Sequence, residues 1–173
     1  MSLNVFKESN EAIDALAKLF IAHAKTAITQ NNKFSVALSG GSSPKKLYEI
    51  LANNYAQEID WTKVYFFFGD ERYVAHDHAD SNYLLAKNGL FDALSINDDQ
   101  VYKVNTSLDP ASAALEYQRT ICSFFNNQTS FDLIILGLGD DAHTASIFPH
   151  TDLIWIDEEL VKEVYLKDKE VYR

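Results

Sequence analysis

Three short stretches hold the residue types that could do chemistry together. The first is Ser39-Gly-Gly-Ser-Ser-Pro44. A β-prone apolar run from Phe34 to Leu38 precedes it, and Ser43 with Pro44 reads as the N-cap and first position of a helix. A strand, a glycine turn and a helix start in that order leave unsatisfied N–H groups aimed at one spot. Such a spot favours an anion, most often a phosphate. Lys45 and Lys46 follow in the first turn, where the helix dipole disfavours cations. They make sense beside a negative ligand, although two solvated lysines would leave the same pattern. The second stretch, Asp70-Glu71-Arg72, offers a guanidinium, or only a surface ion pair worth under about 1 kcal/mol. The third, Gly137-Leu-Gly-Asp-Asp-Ala-His143, offers two carboxylates and a histidine. His76-Asp-His78-Ala-Asp80 has the outline of a metal cluster. His-x-His with loose acids in a polar loop is ordinarily solvated, so no metal is expected there.

The elements that must carry these stretches alternate between strand and helix. Leu3 to Phe6 suits a short edge strand, and Ser9 or Asn10 can cap a helix with Ile13, Leu16, Phe20, Ala24 and Ala27 at helical spacing. The Phe34–Leu38 strand follows, and the helix after Pro44 extends to about Asn53. Val64 to Phe68 is continuously apolar, as a strand covered on both faces must be. Asp80-Ser81-Asn82 caps a helix reaching Leu90, Val101–Val104 suits a short strand, and Asp109-Pro110 opens a further helix through Ala114, Ile121 and Phe125. Phe131 to Leu136 reads as a third buried strand, with weaker strand signals at Leu153–Ile156 and Glu163–Leu166. The pattern predicts a single α/β domain over residues 1–173, Rossmann-like, with a mostly parallel sheet and helices on both faces. Ligands of such sheets bind beyond the C-terminal ends of the strands. The three chemical stretches all follow strands, so they converge on one edge.

Bulk properties narrow the function class. The chain has 173 residues, of which 47% are hydrophobic and 13% aromatic, enough for a sizeable core and against disorder. A formal net charge of −10 argues against nucleic acid or an anionic membrane as the main partner, though not against a small anionic substrate. Neither a signal segment nor an apolar run of about 20 residues is present, and the single Cys122 excludes an internal disulfide. A cytoplasmic protein is expected.

Taken together, Ser39-Gly-Gly-Ser-Ser-Pro44, Asp70-Glu71-Arg72, Ser81-Asn82-Tyr83 and Gly139-Asp-Asp-Ala-His-Thr-Ala-Ser-Ile-Phe-Pro149 resemble the 6-phosphogluconolactonases in order and spacing. The resemblance extends over essentially the whole chain, and Asp-x-His-Thr-Ala-Ser-x-Phe-Pro is its most specific part. Two departures stand out. Members usually carry Gly where this chain has Ala142, which costs about 1 kcal/mol or more if that position needs a positive φ. Members also continue for several more strands and helices, so the C-terminal part of the family fold is expected to be missing, with Val171-Tyr172-Arg173 leading into another strand.

The resemblance implies hydrolysis of 6-phospho-D-glucono-1,5-lactone to 6-phosphogluconate, without metal or cofactor, in a monomer or homodimer. His143, whose type titrates near ~6.5, would take a proton from the attacking water and return it to the departing ring oxygen. Asp141 would orient it, with Asp70 as the competing partner. Amides after His143, near a helix start at Thr144–Ser146, would hold the oxyanion. Ser39, Gly40, Gly41, Ser42 and Ser43 would seat the phosphate with Arg72 as a bidentate donor, and Asp70 and Asn82 complete the substrate-binding set. Three other functions compete. The related glucosamine-6-phosphate deaminases use an acidic residue shortly after the histidine, where this chain has Thr144 to Phe148. A dinucleotide site on Gly137-Leu-Gly-Asp-Asp-Ala142 would set Asp140 and Asp141 against a pyrophosphate. A non-catalytic sugar-phosphate-binding domain of the same fold is the third.

Overall fold

The computed structural model describes residues 3–173. Helix α1 (Ser9–Asn31) opens the fold and lays Ile13, Ala17, Phe20, Ile21, Ala24 and Ala27 against the sheet. Its last turn is closed by Asn32, which adopts the left-handed conformation (φ 57°) and donates its N–H to Ile28 O. Strand β1 (Phe34–Leu38) follows and is buried along its whole length. Beside it lies β2 (Val64–Phe68), parallel and in register from Phe34 opposite Val64 to Leu38 opposite Phe68. The two strands therefore finish level, and Gly69 N continues the ladder by donating to Leu38 O at 2.8 Å. On the other side β3 (Leu133–Ile134) pairs parallel with Val36 and Ala37, giving the order β2-β1-β3. Ser35 locks that register: its N and Oγ both donate to Asp132 Oδ2 at 2.7 Å.

Side-chain alternation sorts the two faces of this sheet. Phe34, Val36, Leu38, Val64, Phe66 and Phe68 join α1 and α2 (Ser42–Asn54) in the larger core, which also receives α3 (Asn82–Ala86). A π-helical turn (Lys87–Phe91) carries α3 into α4 (Asp92–Leu94), adding Leu90 and Phe91. Ala37 and Phe67 point the other way, onto Tyr117 and Ile121 of α5 (Pro110–Phe124). Asp109 caps α5 through Ser112 N, and Pro110 stands in its first turn. A short antiparallel hairpin, β4 (Tyr165–Leu166) with β5 (Val171–Tyr172), follows. The fold is α/β, a parallel sheet flanked by helices on both faces.

Several local expectations give way. Leu3 to Phe6 is irregular, with Leu3 and Val5 standing in solvent and no strand beside them to pair their amides. The α2 cap is Gly41, not Ser43, and Pro44 falls at the third helical position: Gly41 at φ 107° turns the chain into the helix early. Val101 to Val104 contributes a single bridge, Val101 to Phe66. Phe131 to Leu136 is not a buried strand. Only Leu133–Ile134 pairs as strand, and Ile134 and Leu136 are 50% and 59% exposed because they line an open hollow rather than a packed face. Leu153 to Ile156 falls in a 3-10 turn (Asp152–Trp155), and Thr144 to Ile147 is a tight turn closed by Ile147 N to Thr144 O (2.9 Å), not a helix start. Among the described residues, no helix is long and apolar enough to cross a membrane.

Candidate active site

Two buried tyrosines brace the strand ends from which the site grows. Tyr48 of α2 donates its hydroxyl to Ser39 O at 2.6 Å and accepts from Ser39 N at 3.2 Å, fixing the entry to the glycine turn. Tyr117 of α5 accepts from Phe68 N at 2.7 Å at the end of β2. Burial pushes both phenols well above their ordinary pKa, so each remains a neutral hydrogen-bonding strut.

Beyond Ser39 the chain passes Gly40 and Gly41 into α2. No side chain caps that helix, so its first-turn amides stand free at the positive end of the dipole. Both glycines are required, for different reasons. Gly41 holds φ 107°, where any other residue is strained, and a Cβ on Gly40 would fall on the side chain of Asn82. Lys46 leaves the turn, reaching Asn10 Oδ1 at 2.5 Å, and Lys45 is exposed. The donors left free at this turn are backbone amides.

Asn82 is one member of a clasp that ties the three loops together. Its Nδ2 donates to Asp70 O and Oδ1 (2.9 and 3.1 Å), and Asp70 Oδ2 accepts from Ser146 Oγ at 2.7 Å. Gly40, Asn82, Asp70 and Ser146 thus join the glycine turn, the β2 loop and the histidine loop. Glu71, only 7% exposed, turns inward and accepts from Arg72 N (2.7 Å), Asn82 N (2.7 Å), Tyr83 N (2.9 Å) and Ser81 Oγ (3.3 Å). Burial raises its pKa, and those four donors oppose the shift. It is a carboxylate plug in the start of α3, not a surface partner of Arg72. Arg72 donates Nη1 to Asp80 O at 3.0 Å and pairs with no carboxylate among the described residues.

The histidine loop is wound into two tight turns. Gly139 N donates to His143 O (2.8 Å), Ala142 N donates to Gly139 O (2.9 Å), and Ala142 sits at φ 67°. The backbone does need a positive φ where the chain has alanine. His143 Nδ1 is hydrogen-bonded to Asp141 Oδ1, which also accepts His143 N at 3.2 Å, and these bonds hold the Asp141 carboxyl below its ordinary pKa. Asp141, not Asp70, is the partner. His143 Nε2 makes no hydrogen bond among the described residues, and the imidazole lies on the Phe148 ring with centroids 4.2 Å apart at 24°.

Sequence reasoning missed Arg173. The β4–β5 hairpin carries it to the same edge, anchored by Tyr73 N to Tyr172 O at 3.3 Å. Burial and then the neighbouring Arg72 charge lower its pKa, against Asp70, Asp80 and Glu71. Two guanidinium groups whose charges act on each other in an acidic chain have the chemistry to meet an anion, but the only sequence signal was an arginine 101 positions from Arg72. The histidines of the suspected metal loop are otherwise engaged: His76 Nε2 is bonded to Val104 O (2.7 Å) and His78 Nδ1 accepts from Asp80 N (3.1 Å). A hollow of about 420 Å³ lies between the sheet and α5 and borders the site at Asp70, Ser146 and Arg173, without including His143 or the glycine turn.

Comparison with known proteins places this arrangement. The family model described as glucosamine-6-phosphate isomerases/6-phosphogluconolactonase matches residues 7–171. The chain is 39% identical to a 6-phosphogluconolactonase of Nostoc sp. over 92% of its own length and 68% of the relative's. It is 41% identical to that of Synechocystis sp. over 78% of its length and 57% of the relative's. The solved 6-phosphogluconolactonase of Thermotoga maritima superposes with a TM-score of 0.80 at 34% identity, covering 92% of this chain and 70% of that one. The chain thus spans a little over half to about two thirds of the curated relatives' length. By its sequence, its fold and the loops at its sheet edge, it belongs to the glucosamine-6-phosphate isomerase/6-phosphogluconolactonase family.

Proposed function

We propose that this chain carries the lactone-hydrolysing site of a 6-phosphogluconolactonase acting on 6-phospho-D-glucono-1,5-lactone. The observation that carries the reading is the Asp141–His143 pair, with Nε2 free, tied through Ser146, Asp70 and Asn82 to the glycine turn. The phosphate sits on the free amides of Gly41, Ser42 and Ser43, with Arg72 and Arg173 as its cations. His143 Nε2 takes a proton from water as the oxygen attacks the lactone carbonyl. Asp141 holds the tautomer and stabilises the imidazolium. The amides of Ala145 and Ser146, which take no part in their own turn's hydrogen bonding, face the developing oxyanion without help from a helix dipole. Collapse breaks the bond from the carbonyl carbon to the ring oxygen, which receives the proton from His143. The acid product then ionises. Water is the only co-reactant.

Asp70 and Asn82 serve the frame in this reading: their side chains are spent on each other, on Ser146 and on Gly40. The deaminase chemistry of the same family lacks its acid here, since Thr144, Ala145, Ser146, Ile147 and Phe148 follow the histidine. Hydrolysis of freshly prepared lactone, with spontaneous hydrolysis subtracted, is the test. The expected result is turnover that His143→Ala abolishes while phosphate-ester binding survives. Near-normal kcat in the variant, or ammonia release from glucosamine 6-phosphate, overturns it.

A further inference from the structure

We infer that Phe148 is a positioning residue for the reaction, fixing the plane of the His143 imidazole from a side that Asp141 does not control. This rests on the lactonase reading above for its kinetic consequences and on geometry for everything else. A hydrogen bond at Nδ1 sets one point of the ring and leaves it free to swing about that bond. Swinging would carry Nε2, the atom that must meet the water, along an arc. Two further contacts remove that freedom. Below the ring lies Gly139, whose missing Cβ is the space that the imidazole occupies. Against the ring face lies Phe148, stacked at 4.2 Å and 24°.

Phe148 is itself held rather than merely adjacent. Its carbonyl accepts Thr151 Oγ1 at 2.7 Å and Thr151 N at 3.3 Å, closing a turn that includes His150 at φ 64°. Lys169, in the turn of the β4–β5 hairpin, stands over the same aromatic ring at 5.2 Å from its centroid. The hairpin that presents Arg173 to the anion site therefore also touches the aromatic support of the histidine. An aromatic face carries partial negative charge, so it favours the imidazolium that exists only after proton abstraction. That difference raises kcat, not ground-state affinity.

The test compares Phe148→Leu with Phe148→Tyr in the 173-residue chain, by kinetics and by NMR of the His143 ring protons. Leucine keeps apolar bulk and loses the face; tyrosine keeps the face. The expected result is a fall in kcat of about tenfold for Phe148→Leu, with KM within about twofold and the unfolding midpoint little changed, and recovery in Phe148→Tyr. The contact of the His143 ring with Gly139, read as NOEs from the ring protons to the Gly139 Hα atoms, should collapse in the leucine variant and persist in the tyrosine one. Unchanged kcat in Phe148→Leu, a rise in KM matching the loss, or failure of tyrosine to restore the rate overturns the inference. Should the unsubstituted chain turn over no lactone, the activity reading fails. The NMR pair then decides the positioning: collapse with leucine and retention with tyrosine upholds it, and any other pattern refutes it.

Discussion

Gly139→Ala should separate catalysis from stability at a single atom. A Cβ at this position would lie on Cε1 and Nδ1 of His143 and 3.0 Å from Nε2, so the imidazole has to leave its present place. Leaving costs it the Asp141 bond and the Phe148 stack. The stack is worth about 0.5–1.5 kcal/mol. Gly139 is not among the positive-φ glycines, so alanine fits its backbone and recovers about 0.4–1 kcal/mol by restricting the unfolded chain. The Asp141 bond is exposed and adds little to the loss, so the net cost is at most about 2 kcal/mol, and the unfolding midpoint should fall by no more than about 4–8 °C in a chain of this size. Activity has no such compensation. General acid–base catalysis by a positioned side chain is worth about 10²–10⁴-fold, so lactone hydrolysis should fall at least about 100-fold. Gly137→Ala is the matched control: a Cβ there meets nothing within 4 Å, so it should keep the normal rate and show only the gain of about 0.4–1 kcal/mol from the restricted unfolded chain. Paired thermal unfolding and initial-rate measurements decide it. A Gly139→Ala variant within about threefold of the normal rate would refute the placement of the ring.

Two further outcomes follow from neighbouring residues. Glu71→Ala strands the N–H groups of Arg72, Asn82 and Tyr83 and should cost about 3 kcal/mol or more in denaturant unfolding. Because burial raises the folded pKa of Glu71, its contribution is fully present below the ordinary carboxylate pKa and is lost as pH rises through the folded value. Glu71→Gln should therefore flatten the stability–pH curve across that window, and an unchanged slope would count against the assignment. Ala142→Gly should stabilise the chain by about 0.5–1 kcal/mol, since glycine removes the left-handed penalty at φ 67° and returns part of it as unfolded-state entropy. A midpoint that stays put or falls in urea would show that the loop bears no strain there.

The sheet was legible because its signals are local. Phe34–Leu38 is an apolar run broken only by Ser35, Val64–Phe68 is continuously apolar, both stand between breakers, and the strands occupy those residues to the letter. Asp109-Pro110 and Ser81-Asn82 cap the helices their chemistry implies. Phe131 to Leu136 carries the same apolar signal, yet burial depends on what packs above it, and Ile134 and Leu136 remain open. A run of apolar residues states a capacity for burial. Leu3 to Phe6 fails for a related reason: β-propensity needs a neighbouring strand to satisfy its amides.

At the site, residue types could be read and their partners could not. The glycine turn is compact in sequence, so spacing was enough to select it, whereas the choice of Asp141 over Asp70 as the partner of His143 needed the geometry of the loop. Asp70, Glu71 and Arg72 are also contiguous, and contiguity misleads there, because successive side chains leave an irregular loop in different directions. Asp70 turns to Ser146, 76 residues away, Glu71 turns into the start of α3, and Arg72 turns to the backbone of Asp80, where its charge acts on Arg173. One acid ties loops together, the next seals a helix, and the cation is left over for an anion. That division is what the proposed anion site requires: had either carboxylate closed on Arg72, the guanidinium would already be neutralised. Burying Glu71 among backbone donors and spending Asp70 on Asn82 and Ser146 keep two carboxylates beside two arginines without discharging them. The same residues that hold the loops in place thereby leave the positive charge free for the substrate phosphate of the proposed reaction.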